Sequence, residues 1–461
     1  MARTVNGIVT RDSSTPVSWN AQPDTTVVSW HADTAVVLEP VHIEFEGVGV
    51  IVDAAFPDVV IDVVVDQAVL PLRSNRRFFE QPDFMYLLTR AADGDRIAGP
   101  TLAEPFARLA TVRAVDRIHL GDLDEAALLL DHAFAHRRLG SLKSALRYYI
   151  LGATAAERLV EEIDSGDHAP ATVHMLSGII DSCPPAALDP PTRDHLADTL
   201  RAHLLADDIG WQTGLSRLIN HETPATSLGD IATVTGQLND LRPFPARALR
   251  FTGPDDPDLE ITATDGAISV RARLRDEVIP ESGEIHETMA VAADSLTGEI
   301  LSVAPCSTAD GHISAELYPG TSDPSGLRFA LISADTALES VRLDPLGITL
   351  TRIDRHCRYA WSLHREAGAI LAGADATTDE PSLTRIQQNA NRVRHERDEV
   401  IATIRGLIRQ LARRMRRAPD AESIASYVEA VHLFAASLDA PPTTDGPQGP
   451  TLAELLAVGN T

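Results

Sequence analysis

The sequence predicts a multi-domain α+β protein: an N-terminal β domain, an α-helical middle region, a β-sandwich and a C-terminal helical bundle. Three observations predict this class. The chain has 461 residues, and domains run at roughly 100–200 residues, so two to four are expected. Hydrophobic residues make up 44%, enough to build cores. The spacing of apolar residues also switches along the chain, from the alternation of strands to the roughly 3.6-residue period of helices, then through both again. The boundaries fall near 1–85, 86–245, 246–350 and 351–440, with a flexible tail over 441–461.

Residues 1–70 carry the strand signals. Val17-Ser-Trp19-Asn-Ala21 and Val28-Ser-Trp30-His-Ala32 form an imperfect repeat with a spacing that suits successive strands. His42–Glu46 and Val48–Asp53 bracket Gly47 as a hairpin, and Val59–Val65 reads as a buried strand. Trp19 and Trp30 are expected to pack in the core rather than to form an aromatic platform.

Helical spacing then takes over. Leu123–Leu139 places apolar residues at 126, 129, 130, 133 and 134, and Gly140 ends the run. Leu142–Val160 is the next helix. Pro184-Pro185 and Pro190-Pro191 punctuate two more, near 171–182 and 192–206. Ser227–Asp230 opens a further one, and Pro243-Phe-Pro245 is a stiff linker.

Alternation returns at 246–350. Two alternating runs, Leu259–Thr264 and Ala267–Leu274, flank Asp265-Gly266, whose residues accept the positive φ of a type I′ hairpin turn. Thr297-Gly298 and Asp310-Gly311 repeat the device, and about seven short strands suggest a sandwich. Last comes Ser382–Arg417, with a seven-residue apolar repeat at 386, 393, 400, 407 and at 383, 390, 404, 411. Arg397 breaks the seam. Helices near 353–372 and 420–438 would complete the bundle. Beyond a Pro/Gly/Thr linker, Thr451–Leu456 is a short amphipathic peptide with capping-box spacing.

Composition narrows the chemistry. The net charge is −26, which argues against duplex DNA or an anionic membrane as partner of the whole surface. Lys143 is the single lysine, and its context fits neither a P-loop nor a kinase nor a Schiff-base site. Cys183, Cys306 and Cys357 are scattered, with no C-x-x-C. No apolar run approaches a membrane span, and no leader segment is apparent. No cofactor is expected, and the expected location is the cytoplasm of a bacterium.

Five features bear on function. Residues 121–156 resemble one tetratricopeptide repeat: Leu139-Gly140, then Ala145, Tyr149, Gly152 and Ala153, the small and aromatic positions at which two helices pack closely. That resemblance implies protein binding. His132 and His136 share a helix face and could chelate a metal, although no Glu follows the H-E-x-x-H pattern. No G-x-S-x-G elbow occurs, and a hairpin at Asp310-Gly311 would place Ala309 opposite His312 and carry Cys306 away from it. Between Glu380 and Arg417 the charge is +6, and Arg405, Arg409, Arg413 and Arg416 form an anion-binding stripe or a solvated face. Finally, Gly-Pro-Thr-Leu-Ala-Glu occurs twice, at 99–104 and 449–454, and the tail copy is expected to dock in trans.

The reading that results is a non-catalytic adaptor or assembly protein whose partner is another protein, with self-association through the helices or the tail. A membrane partner and a nucleic-acid partner are not expected. The alternatives are a hydrolase with a site assembled between modules, and anion or nucleic-acid binding through the Arg-rich helix.

Overall fold

A computed structural model describes residues 6–12, 27–33, 37–45, 48–66, 78–121, 123–164, 170–205, 248–249, 259–264, 267–274, 283–321, 323–334, 336–338, 341–373, 380–415 and 421–460. Among them, three antiparallel sheets and eleven α-helices form a mixed α+β structure. Trp19, the helix expected at Ser227, the Pro243–Pro245 linker and Arg416 lie outside the described residues.

The N-terminal sheet has six strands: β1 (Asn6–Asp12), β2 (Val27–Ala32), β3 (Pro40–Phe45), β4 (Val48–Asp53), β5 (Phe56–Asp66) and β6 (Arg96–Ala98), in the order β3-β4-β5-β2-β1-β6. Side chains alternate between faces of a strand. Val9, Val28, Trp30, Ile43, Val50, Val63 and Val65 are therefore buried together, while Thr10, His31, His42 and Asp62 fall on the other face. The expected β3–β4 hairpin forms, with Phe45 paired to Val48. Trp30 is a core residue. Its ring meets Phe84 edge-on at 6.1 Å, and its indole N–H donates to the Ile97 carbonyl at 3.2 Å. A Cβ on Gly7 would stand 2.4 Å from that ring, so only glycine lets the indole close over β1.

Helices α1 (Phe84–Arg90) and α2 (Glu104–Ile118) follow. Next come α3 (Glu125–Arg138), α4 (Leu142–Asp164), α5 (Pro170–Asp181) and α6 (Pro190–Leu205). Gly140, at φ 77°, ends α3, and its N–H donates to the Arg137 carbonyl. Gly152 on α4 packs against Leu130 of α3, leaving a Cβ only 3.1 Å of room.

The described residues of 248–343 form two sheets packed as a sandwich. One sheet is β7 (Glu260–Thr264), β8 (Ala267–Arg273), β12 (His312–Leu317) and β11 (Ser307–Ala309). The other is β9 (Thr288–Asp294), β10 (Ile300–Pro305) and β13 (Leu327–Ser333), with the short α7 (Gly283–His286) before β9. Their inner faces share a core that includes Ile268, Val270, Ile313, Ala292 and Phe329. Asp310 and Gly311, at φ 51° and 70°, turn the β11–β12 hairpin and pair Ala309 with His312.

Four helices complete the chain: α8 (Pro345–Gly373), α9 (Glu380–Met415), α10 (Ala421–Ser437) and α11 (Leu452–Asn460). Helix α8 begins within the segment expected to belong to the sandwich. The seam of α9 is buried at Ile386, Ala390, Val393, Ile404 and Leu411, while Leu383, its first position, is exposed near the helix start.

Two outcomes differ from the expectation. One hydrophobic core runs from the N-terminal sheet through α2–α6 to α8–α11. Segments whose patterns look like three modules thus pack together, with the sandwich inserted between them. A pattern identifies an apolar face but not what covers it. The tail, in turn, is not a free peptide. Leu452, Leu455, Leu456 and Val458 of α11 are buried in their own chain, against α3, α5 and α8. Each such side chain removes apolar surface worth roughly 1.5–3 kcal/mol.

Candidate binding cleft

The tail is fixed by buried charge. Arg108 of α2 donates to the Gly449 and Pro450 carbonyls at 2.8 and 3.0 Å. Asp131 of α3 accepts the Leu452 and Ala453 N–H groups at 3.0 and 3.1 Å, capping α11 from outside it. Arg365 of α8 grips Glu454 with Nε at 2.8 Å and Nη2 at 2.6 Å, and also donates to the Gln448 and Gly449 carbonyls. Thr451 and Glu454 close the predicted capping box, with the Thr451 N–H on Oε2 at 2.8 Å. Burial alone would raise the Glu454 carboxyl. Arg365 outweighs it by charge and hydrogen bonding, and holds the group at about 2. Burial pushes Asp131 up to about 6 against the opposing pull of Arg108 and the two N–H donors.

Seating the tail creates a cleft of about 920 Å³. Three backbone pieces build part of it. Val59 bridges to Thr101, Phe79 bridges to Leu102, and the Glu80 N–H donates to the Thr101 carbonyl at 3.0 Å. These links place Asp58, Glu80 and Glu104 along one lining. Trp361, His364 and Arg365 of α8, Leu433 and Ser437 of α10, and the strap Ala440–Thr443 and Pro447–Gln448 supply the rest, with Phe56 from β5. Pro442 and Thr443 run so close to α8 that a Cβ on Gly368 would lie 3.1 Å from the Thr443 carbonyl oxygen.

The polar groups of the cleft are unequally committed. Arg365 is neutralised by Glu454. Glu104 meets Arg138 at 2.7 Å on the surface. Arg397, the interruption in the α9 seam, donates to Nδ1 of His364 at 3.0 Å and pairs with Asp398 at 2.7 Å. Guanidinium cannot accept, so Nδ1 of His364 is the acceptor and its proton resides on Nε2. Burial, reinforced by Arg397 and Arg365, lowers that imidazole to about 3. Asp58 and Glu80 have no ion-pair partner among the described residues.

The residues singled out from sequence fall elsewhere. His132 and His136 stack on Tyr148 at 4.9 and 5.4 Å, with both rings within 14° of its plane. Among the described residues no group of three or more His, Cys, Asp and Glu is placed to hold a metal ion. Burial, then Arg113 and His132, lowers His136 to about 4. Arg405, Arg409 and Arg413 are exposed on α9, and Arg405 lies 3.9 Å from Asp439. None of these five lines the cleft. Cys306 follows β10, at the far end of β11 from the Asp310 turn, away from His312. No helix among the described residues is long and apolar enough to cross a membrane.

A second constellation, not evident from sequence, crosses the outer face of the N-terminal sheet. Thr10 Oγ1 lies 3.1 Å from Nε2 of His31, whose Nδ1 lies 3.1 Å from Oδ1 of Asp62. Strand pairing between β1, β2 and β5 aligns them. Burial raises the Asp62 carboxyl, and His31 opposes that shift.

Comparisons with protein-family models, with curated proteins and with solved structures find no match to this chain.

Proposed function

We propose that the protein is an adaptor that works by protein–protein contact, with the cleft beside the tail as the seat for an extended segment of the partner. The observation that carries the reading is the composition of the cleft. Phe56 and Leu433 offer apolar wall, backed by the buried Trp361 and Leu438, and Pro57, Pro441, Pro442 and Pro447 stiffen its margins. The neutral His364 keeps one N–H to donate, and Arg365 is spent on the tail. Such a lining suits recognition of a backbone with apolar side chains. The tetratricopeptide-like hairpin of α3 and α4 adds a second contact surface, since Leu142, Ile150 and Leu151 of α4 are exposed.

Selection of a random peptide library on the full-length chain tests this, with Leu433→Asp as the counter-target. Leu433 is 39% exposed, so the substitution leaves the core intact. Peptides that bind the native chain and lose about tenfold or more on the variant support the reading. If every selected peptide binds both proteins equally, the cleft is not the contact site.

A second reading, hydrolysis, has one observation in its favour: the Thr10–His31–Asp62 order of hydroxyl, imidazole and carboxylate. In that reaction Thr10 Oγ1 bonds to an acyl carbon, its proton passes through His31 to the leaving group, and water later hydrolyses the acyl-threonine. The strand amides beside it are used in sheet pairing, which leaves few donors for an oxyanion. A fluorophosphonate probe that labels the native chain but not Thr10→Val would favour this reading over the adaptor. An unlabelled native chain would remove it.

A further inference from the structure

The cleft carries charge that the fold does not use. Its lining holds three carboxylates, Asp58, Glu80 and Glu104, against the single guanidinium of Arg365. Arg365 is cancelled by Glu454 from the tail, and Glu104 by Arg138. His364 is neutral, because Arg397 occupies its Nδ1. Two negative charges are left uncompensated, on the side chains of Asp58 and Glu80. They come from chain pieces that the Val59–Thr101 and Phe79–Leu102 bridges join through the same extended segment. Beside them lie the half-buried Phe56 and the exposed Leu433, surfaces for an apolar neighbour. Nothing within the described residues supplies the matching cation.

Resting on the adaptor reading, we propose that the cleft is specific for a partner segment in which an arginine or lysine is next to a large apolar residue. The cation pairs with Asp58 and Glu80 while the apolar group lies on Phe56 and Leu433. The geometry favours a polypeptide over a free amine. A cation alone would leave the apolar lining wet, and an apolar peptide alone would leave two carboxylates facing it unpaired. The −26 charge of the whole chain acts in the same direction by drawing a basic partner in from solution.

The test uses the peptides from the Leu433→Asp counter-selection, on the full-length chain and on a double variant, Asp58→Asn with Glu80→Gln. Both substitutions preserve shape at the cleft lining. The expected result is enrichment of Arg or Lys beside Leu, Phe or Met. Affinity should weaken about tenfold on the double variant, with a similar loss when the basic residue is replaced by citrulline or norleucine. It should also weaken as salt is raised, because the pair is solvent-accessible. Peptides that depend on Leu433 but carry no cation, or that bind the double variant unchanged, would overturn the charge specificity while leaving the adaptor reading in place. Loss of Leu433 dependence would overturn both. Spermidine or arginine amide binding as tightly as the selected peptides would show a small-amine site and overturn the polypeptide assignment.

Discussion

Gly99–Glu104 and Gly449–Glu454 are the same six residues in two environments, and they adopt different structures. In the internal copy Thr101 bridges to Val59 and Leu102 to Phe79, so the chain stays extended until Ala103, and α2 begins at Glu104. In the tail copy Thr451 caps the helix and α11 begins at Leu452. The internal Glu is 53% exposed and meets Arg138, whereas the tail Glu is 1% exposed, closes the capping box and binds Arg365. The T-x-x-E spacing is thus permissive. A strand partner competes successfully for the same threonine, and the capping box forms only where no strand is available. Both copies border one cleft, the first through Thr101, Leu102 and Glu104, the second through the adjoining Pro447 and Gln448.

Equivalent substitutions in the two copies should therefore have unequal effects. The largest gap is expected at the glutamates. Glu454→Ala strands Arg365 in the interior and should cost about 3–5 kcal/mol. Glu104→Ala removes a surface pair and should cost no more than about 1 kcal/mol. Denaturant titration reads the totals, and hydrogen exchange across 452–458 shows whether the tail is what opens. Equal costs would mean that the buried grip contributes nothing.

The next contrast is in acid. The Glu454 carboxyl is held at about 2, below its ordinary 4.5, so its contribution is complete above about 4.5 and is lost as pH falls from there towards 2. The stability difference between the native chain and Glu454→Gln should be level near neutrality and shrink across that window. A Glu454→Gln difference that stays constant to pH 2 would mean the carboxylate is not held by Arg365.

Smaller effects are expected at the threonines. Thr451→Ala loses the helix cap, typically about 1 kcal/mol. Thr101→Ala loses only the exposed hydrogen bond from Gln81 Nε2, at 3.2 Å, worth about 0.5 kcal/mol. Thermal melts of the two variants side by side would sharpen the comparison, and a reversed order would break it.

Legibility followed the range of the interactions. The hairpin at Asp310-Gly311 was readable because two adjacent residues supply the positive φ, and the register Ala309–His312 then follows. The seam of α9 was readable because a helix face repeats along one segment, and even Arg397 fits, as a buried cation paired with Asp398 and His364. The cleft was not readable. Asp58, Glu80, His364 and Leu433 share no motif, and they meet only because sheet, α8 and α10 converge. The net charge of −26 told of many acids but selected none of them. The Thr10–His31–Asp62 line was hidden for the same reason, since strands β1, β2 and β5 bring together residues some 20 to 50 positions apart.

The sequence by itself determined the long helices and the hairpins, the glycines and prolines that end them and the apolar face of each, while α2 and the short strand β6, inside a segment read as helical, went unread. Those choices depend on residues within one or two turns of each other. Only the tertiary structure decided that the first and last helical regions share a core, that the tail lies in its own chain, and that one hexapeptide is a strand end in one place and a helix cap in the other. Those outcomes depend on which distant groups, Asp131, Arg365 or Val59, arrive to satisfy the same backbone.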